Sequence, residues 1–525
     1  MLALTRLLMV TATLPDAPEA APRMRRDTLA ASVVFLIGLS CIQPAVTLAR
    51  GLLFCRWLEP LQLGCWDMAL SFMSLAAPLV VFGIPGSFGR YVETYAQRGQ
   101  LAMFLRRTTI ATLVLMALAT LLVANGGTRL SWFIFSSPNY THLIWLVAFG
   151  MATLIIFGFV TELLTALRMF RVVSGLQVIK GIGFAIMGGL LLLGVSRGPA
   201  SVIMAHSLAC LLAAVVGGWW VYAAWRELPP AARPAEPGYV PQRQLWQRLM
   251  PFAVWMWVTN ILTNVFEIVD RLMIVHCSTM TTEQALEAVG QYHSSRIVPM
   301  LFVSFAAMLA SLVLPHLSRD WEAGRRRDVD ARVNLTIKAM SMALMAGSVV
   351  ILWVSPWLFR LAFKGRYDGG LEVLPWTFCY CAWLGLSFIV VNYLLCAERV
   401  RLSTAALLAG LAVNVLLNLA LLPYLGLMGA VLATAFGKLL VLAMVLWFSR
   451  MLGMKIHSGT YLLAIMPLAL AGGAAVSTAV LAAVILATLF SDRIFRDKEK
   501  QLFMEMLGKA RHRLGLSPRT LSTEY

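Results

Sequence analysis

Residues 402–422 read LSTAALLAGLAVNVLLNLALL, a run without one charged side chain. That length suits a helix crossing a hydrocarbon layer about 30 Å thick at about 1.5 Å per residue. The apolar residues form a solid block and do not alternate, so the run predicts a membrane-spanning helix and excludes an outer-membrane barrel. Thr108–Asn125 (TTIATLVLMALATLLVAN) and Ser201–Ala224 read the same way, and Tyr461–Phe490 is a longer block of the same kind. Over the 525 residues, 60% are hydrophobic and 13% charged, where a soluble domain carries about 25% charged residues. The sequence therefore predicts an all-α, polytopic membrane protein.

Twelve core spans are expected at 29–52, 64–88, 108–126, 142–161, 173–194, 200–224, 249–276, 291–317, 337–362, 371–397, 402–422 and 427–449. Loops 89–107, 162–180, 225–248, 318–338, 398–401 and 450–458 hold 4, 3, 4, 6, 2 and 2 Lys or Arg. The intervening loops 53–63, 127–141, 195–199, 278–290, 363–370 and 423–426 hold 1, 1, 1, 0, 2 and 0. Basic loops stay on the cytoplasmic side, so the N-terminus is expected inside, in agreement with Arg23, Arg25 and Arg26 just before span one. The net charge of +18 is thus a topology signal, and a nucleic-acid partner is not expected. The eight cysteines are scattered, mostly in apolar runs, with no metal-ligand spacing. No Gly-rich loop followed by Lys-Ser/Thr occurs, which excludes an ATP motor, and no cofactor is expected.

The expected organisation is an extension at 1–28, a six-helix bundle at 29–224, a cytoplasmic linker at 225–248 with five prolines, a second six-helix bundle at 249–449, one or two extra transmembrane helices within 450–490, and a basic tail at 491–525. A single helix over Tyr461–Phe490 would put the tail outside, whereas a break at Gly472–Gly473 would make two short spans and return it to the cytoplasm. Thirteen and fourteen helices are both open. The halves carry a weak repeat. Gly64-Cys65-Trp66 opens span two and Gly290-Gln291-Tyr292 opens span eight; Arg98-Gly99 and Gly324-Arg325 follow at nearly the same distance. The pattern implies a pseudo-two-fold pair of bundles with a site between them.

Ionisable residues at membrane depth are costly and mark candidate sites. In span seven, Asn260, Asn264, Glu267 and Arg271 fall at i, i+4, i+7 and i+11, on one helical face. Glu267 and Arg271 have the spacing of an ion pair, and Asp270 lies beside them. The stripe either lines a cavity, with Arg271 offered to an anion and a carboxylate to a coupling cation, or holds two bundles together. Span one repeats the pattern with Gln43, Thr47 and Arg50 around Pro44; Arg50 either faces a cavity or snorkels to the surface. Asp67 is expected to pair with Arg50 or Arg56, and Arg296 to be interfacial. Lys438, deep in span twelve, is a second anion contact or else internally paired, and Lys180 lies within or at the edge of span five. His206 is expected to be a packing residue, and Asn414 with Asn418 either line a path or bond across helices.

Three stretches together resemble the polysaccharide-synthesis flippases of the multidrug/oligosaccharidyl-lipid/polysaccharide exporter superfamily. They are Arg50-Gly51-Leu52-Leu53 … Leu58-Glu59-Pro60 … Leu63-Gly64-Cys65-Trp66 with Phe82-Gly83-Ile84-Pro85, the Asp270-Arg271 pair, and Asn414-Val415-Leu416-Leu417-Asn418 … Pro423-Tyr424-Leu425-Gly426-Leu427-Met428-Gly429-Ala430 … Ala433-Thr434. The similarity covers about residues 25–450 and departs from the family pattern at Gly83-Ile84-Pro85-Gly86. It implies two six-helix bundles forming a V that opens alternately to each side of a bacterial cytoplasmic membrane. It implies a lipid-linked oligosaccharide as substrate, its pyrophosphate held by Arg50, Arg271 or Lys438 and its sugars by Asn260 and Asn264. Drive would come from an Na+ or H+ gradient through Glu267 or Asp270, and partners would be a polysaccharide polymerase or glycosyltransferases. Ion-coupled drug antiport and lipid-II-type flipping are the alternatives within the superfamily. A membrane polymerase would need a larger outer loop, and an inert scaffold would not need the charged stripe.

Overall fold

The computed structural model describes residues 29–97, 99–226 and 242–490. No strand occurs among them, and the chain is an all-α, polytopic membrane protein. The N-terminal half holds α1 (Leu29–Trp57), α2 (Pro60–Val80), a short α3 (Phe88–Gln97), α4 (Leu101–Ala124), a short α5 (Gly127–Phe135), α6 (Ile144–Ala166), α7 (Phe170–Gly194) and α8 (Pro199–Arg226). The C-terminal half holds α9 (Gln242–Cys277), α10 (Thr282–Arg296), α11 (Pro299–Glu322), α12 (Arg326–Phe363), α13 (Asp368–Cys396), α14 (Val400–Leu425) and α15 (Leu427–Met451), followed by α16 (Ser458–Ile465) and α17 (Gly473–Phe490). Eleven stretches of the described residues are long and apolar enough to span a membrane. Helices α1 and α9, of 29 and 36 residues, stand in the first and seventh places of the series. The expected extension 1–28, the tail 491–525 and most of the linker lie outside the described residues; 242–248 of that linker form the first turns of α9.

Two expectations are corrected. Span eight begins at Thr282, not at 291, and is two helices separated at Ile297-Val298. The expected loop 278–290 is therefore mostly helix: Thr281 Oγ1 accepts from the Gln284 amide at 3.4 Å, and Gln284 Oε1 accepts from the Thr281 amide at 3.1 Å. Ala285, Leu286, Ala288 and Val289 are buried while Glu283 and Glu287 face out, so the segment is an amphipathic helix that hydropathy alone hides. Pro299, without an amide hydrogen, starts the second piece. The expected loop 127–141 likewise contains α5, which ends at Ser136 in the left-handed region. Over Ser458–Thr488 there is one candidate span, interrupted by a 3-10 stretch at Met466–Gly472 and by Gly473 at φ +80°.

The two halves meet along α2 and α10, which begin alike. Glu59 and Gln62 form a capping box at the start of α2, with Pro60 as its first residue, and Thr281 and Gln284 form the same box at α10. At Gly64 an added Cβ would overlap the Leu286 carbonyl, and at Gly290 one would overlap the Pro60 carbonyl. The paired glycines of the repeat thus face each other across the interface. Only residues without a side chain allow two helix backbones this close. The C-terminal half packs its interior around α13, where Trp383 is buried and donates to the Ala464 carbonyl at 3.1 Å. This bond and that from Cys379 to the Pro467 carbonyl tie the last span to the bundle.

Candidate functional site

Helices α2 and α10 both start at the end of the molecule whose loops are poor in basic residues, so the Gly64–Gly290 contact closes the interface at that end. One turn deeper, charges cross between the halves. Arg271 Nε lies 2.5 Å from Asp67 Oδ2, and His293 Nδ1 lies 2.9 Å from Asp67 Oδ1. The Arg271 side chain also donates to Ser71 Oγ at 3.2 Å and to the Glu267 carbonyl at 3.0 Å. Asp67 is only 2% exposed, so its ionised form depends on these partners.

Beside this crossing, Glu267 binds Lys438 Nζ and Arg296 Nη2, each at 3.0 Å. Lys438 also lies over the Phe266 ring, 3.7 Å from its centre. Asp270 is buried among neutral donors from three other helices. Its Oδ1 accepts from Asn414 at 2.9 Å and from Asn418 at 3.0 Å; its Oδ2 accepts from Thr434 at 2.6 Å. The Tyr292 hydroxyl reaches the same oxygen at 3.4 Å.

Two expected pairings and one expected placement are corrected by this geometry. Glu267 and Arg271 do not form a side-chain ion pair, because each carboxylate on this face finds a cation on another helix. Asp67 pairs with neither Arg50 nor Arg56. Arg296 is buried rather than interfacial. Arg271 and Lys438 are both neutralised by carboxylates and so are not free cations in this state. Asn414 and Asn418 bond Asp270 across helices, and His206 packs its ring against Trp66 and Phe184.

Toward the basic-loop end lies a cavity of about 390 Å³ between α2, α6 and α9, lined by Ser74, Pro78, Glu162, Trp257, Asn260 and Asn264 among others. These residues come from the last turns of α2 and α6 and from the middle of α9, so the cavity sits on the side away from the glycine contact. Asn264 donates to Asn260 Oδ1 at 2.6 Å. The α9 stripe thus runs from the cavity, through Glu267, to the closed crossing at Arg271. Arg50 stands apart from it, stacked over Phe184 at 4.4 Å within the N-terminal half. The sequence reading missed His293 and Glu162. Thr281-Thr282-Glu283-Gln284 carries the capping signal that would have placed Tyr292, His293 and Arg296 on a helix, three residues within little more than one turn. Glu162 looked like a loop residue because it lies at the polar end of α6.

The pairing predicts the cost of losing one carboxylate. Glu267→Gln strands Lys438 and Arg296; breaking a buried pair costs about 3–5 kcal/mol. Glu267 is 32% exposed, so solvent screening reduces the expected loss to about 1–3 kcal/mol. It should register as a lower thermal midpoint in detergent, partly restored by adding Lys438→Met. An unchanged midpoint would show that water already balances this carboxylate.

Two broken-helix bundles, zipped at one end and hollow at the other, have the fold of the multidrug/oligosaccharidyl-lipid/polysaccharide exporter superfamily. Residues 29–321 match the family described as polysaccharide biosynthesis protein, and the chain belongs to that family. An uncharacterised membrane protein of Methanocaldococcus jannaschii is 20% identical over 422 residues, covering 77% of this chain and 80% of its own. Among solved structures, the lipid II flippase MurJ in an inward closed conformation superposes with a TM-score of 0.63 at 13% identity, covering 92% of this chain and 99% of that one. An inward-facing multidrug resistance transporter of the superfamily gives 0.59 at 11% identity, covering 80% and 97%. A superfamily transporter from Pyrococcus furiosus, described as having a binding pocket of reversed polarity, gives 0.59 at 13% identity, covering 81% and 96%. At these identities the structures establish the fold alone.

Proposed function

We propose that the chain flips a polyprenyl-pyrophosphate-linked oligosaccharide across a bacterial cytoplasmic membrane by alternating access, without ATP hydrolysis. The observation that carries this reading is the asymmetry of the interface: it is shut by Gly64, Gly290 and the Asp67–Arg271–His293 crossing at one end and hollow at the other. A molecule whose halves touch through separate helices at one end can rock so that the opposite end closes instead. Membership of the polysaccharide biosynthesis family supports a lipid-linked glycan as the cargo. The basic loops lie at the cavity end, which supports a cytoplasmic cavity mouth, where such lipids are assembled, and an inside N-terminus.

Coupling falls to Asp270. Its carboxylate takes hydrogen bonds from α10, α14 and α15 and belongs to α9, so four helices converge on one carboxylate. In the state described, the amides of Asn414 and Asn418 and the hydroxyl of Thr434 satisfy this carboxylate, so a Na+ or a proton taken up there would have to displace or rearrange those donors. Flipping of a fluorescent lipid-linked oligosaccharide in proteoliposomes tests both points. Wild type should move the lipid between leaflets with a rate that depends on a Na+ or H+ gradient. Asp270→Asn should fold, keep its donors partly satisfied, and lose that gradient dependence. Glu162 in the cavity favours ion-coupled export of a small cation as the second reading. That reading prevails if folded wild type moves no lipid-linked glycan and exports a cationic dye; movement of lipid II alone would select the peptidoglycan substrate.

A further inference from the structure

Two helical faces meet across the cavity, and the chemistry they bring is lopsided. Gly158 and Glu162 lie one turn apart on α6; Trp257, Asn260 and Asn264 fall at i, i+3 and i+7 on α9; Ser74 joins them from α2. Glu162 is the one ionisable side chain of this lining among the described residues, and among them no hydrogen bond or ion pair reaches its carboxylate. Deeper along α9 no cation is left over to balance it: Lys438 and Arg296 are taken up by Glu267, and Arg271 by Asp67.

Hydrogen-bonding capacity leans the same way. Asn264 donates to the carbonyl and to Oδ1 of Asn260, at 2.8 and 2.6 Å. Glu162, Asn264 Oδ1 and the Ser74 hydroxyl remain as acceptors, against the Asn260 amide and that same hydroxyl as donors. The Trp257 indole is a fixed wall, because its N–H donates to the Leu79 carbonyl at 3.3 Å and the Phe82 ring stacks on it with centroids 5.4 Å apart.

An entering molecule thus meets acceptors, an aromatic surface and one unbalanced negative charge. Sugar hydroxyls can satisfy the acceptors, and the C–H face of a pyranose ring suits the electron-rich face of an indole. A protonated amine gains more, from the carboxylate and from the ring together. A sugar carboxylate finds no cation, and Glu162 repels it in surroundings less polar than bulk water. The volume of about 390 Å³ falls within the roughly 300–1,000 Å³ of small-ligand sites.

We infer that this cavity is a sugar subsite that selects the cargo by charge, taking sugars that are neutral or carry a free amine and turning away those that carry a carboxylate. The inference rests on the proposed flipping of a lipid-linked oligosaccharide. Glu162 sets the charge preference, Trp257 is the stacking surface, and Asn260, Asn264 and Ser74 bind hydroxyls. The same repulsion leaves the pyrophosphate outside this cavity.

The test is binding to the full chain in detergent of three farnesyl-pyrophosphate-linked probes that differ in the sugar: glucosamine, N-acetylglucosamine and glucuronic acid. Wild type should bind the first two about tenfold more tightly than the acid. Glu162→Gln keeps the shape and strands no cation; it should weaken the glucosamine probe about tenfold, leave the N-acetylglucosamine probe within about twofold and tighten the acid. Gly158→Leu is the steric variant, since Gly158 lies on the lining face and a Cβ there meets nothing within 4 Å. It should weaken all three probes about tenfold while the thermal midpoint holds or rises, because leucine favours a helix over glycine. Acid bound by wild type as tightly as the other two overturns the charge selection, and so does an equal change of all three in Glu162→Gln. Unchanged binding in Gly158→Leu overturns the cavity as the place of the sugar. Competition by phosphatidylethanolamine as strong as that of the glucosamine probe overturns it too, making the amine preference that of a bilayer headgroup. The outcomes separate from those of the flipping assay. Three probes bound alike by a chain that flips lipid-linked glycans remove the charge selection alone. A wild type that flips none and binds none of the three, yet binds a cationic dye that Glu162→Gln releases, removes the flippase reading and the subsite with it.

Discussion

Gly64→Val is expected to abolish lipid flipping and to leave the interface open at the end opposite the basic loops. At Gly64 the obstacle to a side chain is the Leu286 carbonyl, and at Gly290 it is the Pro60 carbonyl. Backbone cannot swing aside as a side chain does, so the helices themselves must separate. Overpacking of a tight contact costs about 1–3 kcal/mol and occasionally more. At about 1.4 kcal/mol per tenfold, the closed population falls about ten- to hundredfold. The open arrangement, in which the helices are parted, carries no such penalty, so the substitution shifts populations and leaves the fold intact. Cys65 is a native reporter beside the contact, 1% exposed when the interface is shut. In a Cys277→Ser background, maleimide labelling followed by peptide mapping should find Cys65 protected in wild type and reactive in Gly64→Val. Gly290→Val should behave alike, because the two glycines occupy one crossing. Protection of Cys65 in both variants, with normal flipping, would mean that the crossing never opens during the cycle.

How far the sequence determined this picture differs from element to element. The run at 402–422 is decisive because hydrocarbon thickness imposes a length and its apolar block excludes alternation. The face shared by Asn260, Asn264, Glu267 and Arg271 follows from helical periodicity, and in the structure those residues do run in one line from the cavity to the crossing. The glycine correspondence of the halves likewise lay in the spacing of Gly64 and Gly290; that the two touch did not, because contact across the halves is a tertiary fact. Pairings were the least readable. Local spacing favoured Glu267 with Arg271, yet a side chain on a packed helix meets its neighbours on other helices as readily as its own next turn. Helix α10 was hidden for a different reason: exposed Glu283 and Glu287 lowered the polarity contrast that marks a span, although Thr281 and Gln284 carried a capping signal.

The charge arrangement explains why an interface can be both tight and switchable. Glycine contacts supply close approach but little discrimination between shut and open. On the proposed rocking, the buried charges would supply the discrimination, because Asp67 and Arg271 have each other when shut and would have water when open. Sealing the end desolvates both groups, so the attraction must offset a large penalty, and the two states are held near balance. A purely apolar seal would be more stable shut and slower to open. Asp270, by contrast, is next to Arg271 in the chain but sits among neutral donors, so its carboxylate is held apart from the charged crossing.

Neutralising one member of the crossing should therefore be far worse than neutralising both. Asp67→Asn leaves Arg271 desolvated with Ser71 and the Glu267 carbonyl as neutral acceptors, and it removes the carboxylate from His293. Arg271→Gln leaves Asp67 with His293 alone. Removing one partner of a buried pair costs about 3–5 kcal/mol, while replacing both with neutral groups of similar shape is often close to neutral. At about 1.4 kcal/mol per tenfold, each single variant should deplete the shut state by a hundredfold or more, with Cys65 labelled rapidly and flipping lost. The double variant Asp67→Asn/Arg271→Gln can restore an amide-to-amide hydrogen bond and should recover much of the protection of Cys65. The double-mutant cycle gives the coupling directly, and contacting pairs give about 0.5–3 kcal/mol. A coupling near the top of that range makes the pair the latch of the closed end. Simple additivity of the two single effects would mean that each residue acts through separate neighbours and that the glycine crossing alone holds the end shut.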